Sequence, residues 1–138
     1  MRNPIAIEPH ASVGDAARTM RDEITGFLPV WDAERRPIGV ITDRDIAVRA
    51  CAAKLDVEQA RVSDIMSRDL VSCRTTDDLR HAEELMTRYQ KWRIVVVNDD
   101  GTLAGVISVT DLSHGEPPLS VGPIVRQVCA RELRVKSR

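Results

Sequence analysis

Two short stretches hold the residue types best suited to chemistry: Gly39-Val40-Ile41-Thr42-Asp43-Arg44-Asp45 and Gly105-Val106-Ile107-Ser108-Val109-Thr110-Asp111. Each reads glycine, two aliphatics, a hydroxyl residue, two variable residues and an aspartate. An aliphatic run that ends in such a polar signature marks a strand giving way to a helix. Helix N-termini offer unsatisfied N–H groups and the positive end of a dipole, which favour phosphate. The hydroxyls of Thr42 and Ser108 would add a donor there. Asp45 and Asp111 can each accept two hydrogen bonds from the vicinal hydroxyls of a ribose, while like charge keeps them off the phosphate itself. The same spacing is also that of a capping box with aspartate in place of glutamate, and a cap alone would account for hydroxyl plus acid. Two copies, each led by a glycine at the same offset, favour a ligand site. The readings are compatible, because a vacant site leaves the hydroxyl free to cap.

Other chemistry has little to stand on, and the sequence predicts no catalytic residue, no metal site and no enzyme. His10, His81 and His114 show no metal-ligand spacing. Cys51, Cys73 and Cys129 lack both a C-x-x-C pattern and a histidine partner pattern, so they read as structural thiols. There is no Gly-rich loop with lysine and no G-x-G-x-x-G. Asp43 and Asp45 have the spacing of an acid–base couple, but at a helix start they point different ways. Trp31 and Trp92 are as suited to packing as to stacking on a base.

Bulk properties narrow the class further. Lys plus Arg is 20 and Asp plus Glu is 21, a formal charge of −1. That balance lacks the basic excess of a nucleic-acid binder, and the basic run from Arg126 to Arg138 reads as a solvated face. Aromatics are 3% of 138 residues, so the core must be aliphatic. An odd number of cysteines argues against a disulfide framework and for a reducing compartment. No signal pattern opens the chain, and no apolar run reaches the roughly 20 residues of a membrane helix. A cytoplasmic protein with neither nucleic-acid nor membrane partners is expected.

The elements that position the two motifs repeat. Shifted by 66 residues, the chain aligns on itself without a gap: Ala16 with Ala82, Met20 with Met86, Val30 with Val96, Gly39 with Gly105, Asp45 with Asp111. Each copy predicts strand, helix, strand, strand, helix. The first extended pieces are Pro4–Ile7 and Leu70–Cys73. Ser12, with Asp15, caps a helix whose apolar stripe is Val13, Ala16, Ala17 and Met20. Asp78 caps its counterpart, with Leu79, Ala82 and Met86. Strands follow at Phe27–Trp31 and Ile94–Val97, turns at Asp32–Pro37 and Asn98–Gly101, and returning strands at Ile38–Thr42 and Leu103–Ser108. Second helices are expected near Asp45 and Asp111. Gly39–Ile41 and Ile94–Val97 lack a polar face, as strands covered on both sides do. Asp56 is a candidate cap for a helical stretch leading to Val62–Met66. One copy alone is marginal on surface-to-volume grounds, so the two should pair through their sheets. The expected layout is repeat 1 over 1–54, a linker and lead-in helix over 55–66, repeat 2 over 67–115, and a tail over 116–138 whose segment Pro123–Cys129 reads as a short amphipathic helix.

With these stretches, and with Val62-Ser63-Asp64-Ile65-Met66, Leu28-Pro29-Val30 and Arg93-Ile94-Val95-Val96-Val97, the sequence resembles the paired cystathionine β-synthase (CBS) domain, or Bateman module, over about Met1 to Leu112. The layout is similar to short stand-alone bacterial two-repeat proteins, including the hypoxic-response type. The resemblance implies an α/β (α+β) fold of two repeats packed through their sheets about a pseudo-twofold axis. It implies clefts that take AMP, ADP, ATP, NAD or S-adenosylmethionine, with no cofactor required, and further pairing into homodimers. The implied function is regulatory: an adenosyl ligand is bound and reported by a conformational or dimer change. The alternative is a ligand-free dimerisation or interaction module. The implied ligand residues are Thr42 and Ser108 toward phosphate and Asp45 and Asp111 toward ribose. Ile5 and Ala6, with Val71 and Ser72, line the base pocket, and Arg93 supplies the basic position before the middle strand. The first copy has Gly26-Phe27 where the second has Trp92-Arg93, and Arg44 is the expected substitute for that charge. Little precedes the first copy, as expected if the chain begins inside its own domain or is part of a longer protein.

Overall fold

The computed structural model describes residues 3–111, in the order α1 (Val13–Glu23), β1 (Phe27–Trp31), β2 (Pro37–Thr42), α2 (Asp43–Asp45, continuing as a π-helix over Ile46–Cys51), α3 (Val62–Ile65), β3 (Ser72–Arg74), α4 (Leu79–Tyr89), β4 (Arg93–Val97) and β5 (Leu103–Ser108). The mixture of helices and small sheets is the expected α+β class. The tail, with its amphipathic segment, His114 and Cys129, lies outside the described residues.

The internal repeat is carried into the backbone. The bounds of α1 and α4, of β1 and β4, and of β2 and β5 are related by the same 66-residue offset. So are their caps. Ser12 Oγ accepts the Asp15 N–H at 3.0 Å, and Asp78 Oδ1 accepts the His81 N–H at 2.9 Å. Both helices stop on a left-handed residue, Ile24 at φ 52° and Gln90 at φ 53°. The hairpin turns match as well, with Arg35 at φ 63° where the second copy has Gly101 at φ 88°.

The described residues fall into two compact units, one of Asn3–Leu70 with Gly101–Leu103 and the other of Val71–Asp100 with 104–111. The first has a core of Ile7, Val13, Ala16, Met20, Leu28, Val30, Ile41, Ala50, Val62, Ile65 and Met66. The second is built on Cys73, Ala82, Met86, Ile94, Val96 and Val109. Segment 55–66 packs within the first unit. Val13 N–H donates to Ala60 O and Gly14 N–H to Val57 O, while Val62 N–H donates to Ala11 O, all at 2.9 Å.

Several local expectations are corrected. Ala17 is exposed and Gly14 is buried in its place, because the Glu58 carboxylate lies over Gly14. Leu79 is 39% exposed. The Asp15 carboxylate does not complete a capping box; it bonds Arg18 at 2.8 Å. Asp56 caps only a turn, accepting the Glu58 N–H at 3.0 Å, and α3 begins six residues later. In the first copy the strand buried on both faces is β1, at Leu28, Pro29 and Val30, whereas β2 alternates. The first extended piece reduces to a single parallel bridge, Ile7 with Val30. Its counterpart β3 pairs over three residues with β4, and Val95 N–H also donates to Val71 O at 3.1 Å. Pro29 stands where Val95 does and has no N–H to give, so that rung of the ladder is missing.

Candidate functional site

Strand β2 brings Thr42 to the end of its sheet opposite Phe27, the first residue of β1. Ile7 bridges Val30 in parallel, so Ile5 and Ala6 lie toward that same end, on the far side of β1. At the junction Thr42 and Asp45 bond reciprocally: Asp45 N–H donates to Thr42 Oγ1 at 3.1 Å, and Thr42 N–H donates to Asp45 Oδ2 at 2.9 Å. Helix α2 therefore starts at Asp43, two residues before the expected position. The Asp45 side chain is only 15% exposed, and Arg44 is exposed beside it. Asp43 accepts the Arg44 N–H at 2.8 Å, and its carboxylate lies over Gly26, in the space a Cβ there would need.

The second repeat has the same junction. Asp111 N–H donates to Ser108 Oγ at 3.1 Å and Ser108 N–H to Asp111 Oδ2 at 2.9 Å. Val109 N–H donates to Trp92 O at 2.9 Å, so β5 ends beside the start of β4, where Arg93 is exposed. Ser72 pairs with Val95, which brings Val71 and Ser72 to that end of the sheet too. Each unit thus gathers its own set: Ile5, Ala6, Thr42, Arg44 and Asp45 in one, Val71, Ser72, Arg93, Ser108 and Asp111 in the other.

Two features of the site were not read from the sequence, the packing role of Gly39 and the reach of Arg49. The glycine of the first motif serves packing: a Cβ on Gly39 would lie 2.5 Å from Ser67 O, because Ser67 pairs with Val40 through bonds of 2.9 and 2.8 Å. Arg49 reaches Asp45, with Nε 3.7 Å from Oδ1, and donates from Nη1 to Ile65 O at 3.2 Å. Its spacing of four from Asp45 was the available signal. Trp31 carries the Arg35 guanidinium 5.5 Å above its ring, and Trp92 packs on the second core. Cys73 is buried, and loss of solvation raises its thiol pKa, with the Asp77 charge adding to the effect. Among the described residues no cluster of His, Cys, Asp and Glu is arranged to hold a metal, and no helix is long and apolar enough to cross a membrane.

A family model described as CBS domain matches residues 1–50 and 62–115. The CBS domain-containing protein YhcV of Bacillus subtilis is 35% identical over 107 residues, 78% of this chain and 74% of that one. A CBS domain protein of Pyrobaculum aerophilum, solved in complex with AMP, is 27% identical, covers 94% of each chain and superposes with a TM-score of 0.74. The cytosolic domain of the Mg2+ channel MgtE, solved with ATP, is 25% identical with a TM-score of 0.69, over 82% of this chain and 45% of that one. Other relatives are longer: the chain spans 60% of a Methanopyrus kandleri protein and 21% of an inosine-5'-monophosphate dehydrogenase from Methanocaldococcus jannaschii. The matched segments cover the two copies of the repeat, and the chain belongs to the CBS domain family as a tandem pair.

Proposed function

We propose that the chain is a regulatory module that binds an adenosine phosphate, AMP or ATP in the first instance and NAD or S-adenosylmethionine as further candidates. Occupancy is reported through a change in conformation or in homodimer contact. The carrying observation is the matched pair of hydroxyl–aspartate junctions, each at the sheet end where the first extended segment also lies. In this reading Thr42 and Ser108 turn their hydroxyls from the cap to phosphate, and Asp45 and Asp111 accept from the ribose diol. Arg44 and Arg93 supply positive charge, and Ile5, Ala6, Val71 and Ser72 flank the base. The likeness to the AMP-bound Pyrobaculum protein over 94% of both chains supports the choice of ligand class.

A second reading has its own support. Both junctions make complete reciprocal caps, as an interaction module with vacant clefts would need. Thermal melts with AMP, ATP, NAD and S-adenosylmethionine separate the two. A ligand at 100 times its dissociation constant adds about 2.7 kcal/mol per site, which raises the melting temperature by several degrees. Unmoved melts with all four favour the interaction module.

A further inference from the structure

The Asp45 carboxylate is linked through one arginine to the segment that leads into the second repeat. Its Oδ2 accepts from Thr42 N–H, while Oδ1 faces Arg49 Nε at 3.7 Å. The same guanidinium donates from Nη1 to Ile65 O at 3.2 Å. Ile65 is the last residue of α3, and Ser67, two residues on, pairs with Val40 of β2. Arg49 stands in the π-helical stretch that follows Asp45, where Ala52 N–H reaches Ala47 O and Leu55 N–H reaches Ala50 O, five residues back in each case. Single π turns of this kind recur at functional sites. In the sequence, the 66-residue offset aligns Arg49 with Gly115, so the arginine belongs to the first copy of the repeat alone.

We propose that Arg49 is a positioning residue that couples occupancy of the Asp45 site to the Ile65–Ser67 segment. The inference rests on the nucleotide reading above. A ribose diol that donates to both Asp45 oxygens competes for the oxygen that Arg49 faces and draws the carboxylate off its cap. The guanidinium is then held by Ile65 O alone, and the α3 end responds. Coupling of this kind is reciprocal, so loss of the Ile65 bond also alters binding at Asp45.

The test is nuclear magnetic resonance on the full chain, reading the Ile65 carbonyl carbon and the Met66 amide nitrogen. Asp45→Asn removes the charge yet can still accept from Thr42 N–H, so it imitates capture of the acid without any ligand. In the wild-type background it should move both signals, and in Arg49→Met the movement should be lost. Arg49→Lys, which keeps the charge without the fork, should also lose it and guards against a folding defect in the methionine variant. AMP added to the wild type should move the Thr42, Asp45 and Ile65 signals together. Equal responses to Asp45→Asn in both backgrounds overturn the coupling. So does AMP that moves Thr42 and Asp45 while Ile65 stays fixed. If AMP moves neither junction but the Asp45→Asn response still depends on Arg49, the link stands and the nucleotide reading falls.

Discussion

A methyl group added at position 39 would have to displace backbone, since Ser67 O lies 2.5 Å from where its carbon would sit. The neighbour cannot rotate away as a side chain would, and it is held to Val40 by two hydrogen bonds. Gly39→Ala should therefore cost about 1–3 kcal/mol, read as a lower urea midpoint at unchanged slope. A variant with the wild-type midpoint would mean that the Val40–Ser67 pairing is dispensable. The thiols make a second residue-scale contrast. Cys51 is exposed, whereas Cys73 is buried with its pKa raised by desolvation. A maleimide followed by peptide mass mapping should label Cys51 in the native protein and Cys73 only after unfolding. Fast native labelling of Cys73 would contradict its place in the second core. The hydroxyl and acid of each motif were legible because both the cap and the ligand reading demand the same spacing. The job of Gly39 was not, because Ser67 is 28 residues away in the sequence.

At the scale of elements, one arginine adds a side-chain clamp to the backbone bonds that fasten α1 to the segment after the π-helix. Arg18 donates to Glu58 Oε1 at 2.8 Å and Oε2 at 3.0 Å, and to Asp15 Oδ1 at 2.8 Å. Its guanidinium holds both carboxyls below their ordinary pKa, with the Ser12 hydroxyl assisting at Asp15. Folding thus favours the charged acids. Their contribution is complete above the ordinary carboxylate pKa and is lost as the pH falls through the lowered folded values, below about pH 4. In Arg18→Met, carboxyl titration by nuclear magnetic resonance should show Asp15 and Glu58 moving up toward ordinary values, with a weaker acid dependence of stability. The change should shrink in high salt, because all three groups are exposed. Titration curves that match the wild type would refute the clamp. Element types and most bounds were readable, since period-two and helical patterns are local. The attachment of 55–66 to the first unit was hidden, because its partners, Ala11, Val13 and Gly14, lie more than 40 residues upstream. Pro29 was visible all along, and its missing N–H is what separates the single bridge at Ile7 from the strand β3.

For the whole molecule, duplication is the property with the most direct functional consequence. The two junctions agree in hydrogen-bond pattern and, pair by pair, in bond length: 2.9 Å for the N–H to carboxylate bond and 3.1 Å for the N–H to hydroxyl bond in each. Their surroundings differ. Asp45 is largely covered and faces Arg49, while Asp111 is exposed. A shared backbone with unequal exposure of the acid predicts two sites of one kind and different strength. Calorimetric titration with AMP should then give two binding events in the wild type. Asp45→Ala should remove one and Asp111→Ala the other, and the double variant should bind nothing. Each single variant keeps one site's share of the ligand-induced stability, about 2.7 kcal/mol at 100 times its own dissociation constant. Truncating an acid also breaks half of a cap, which costs about 1 kcal/mol without ligand, so each response is measured against that variant's own unliganded melt. Should either substitution alone abolish all binding, the duplicated junctions would be two parts of a single site, and the division of labour by repeat would have to be abandoned.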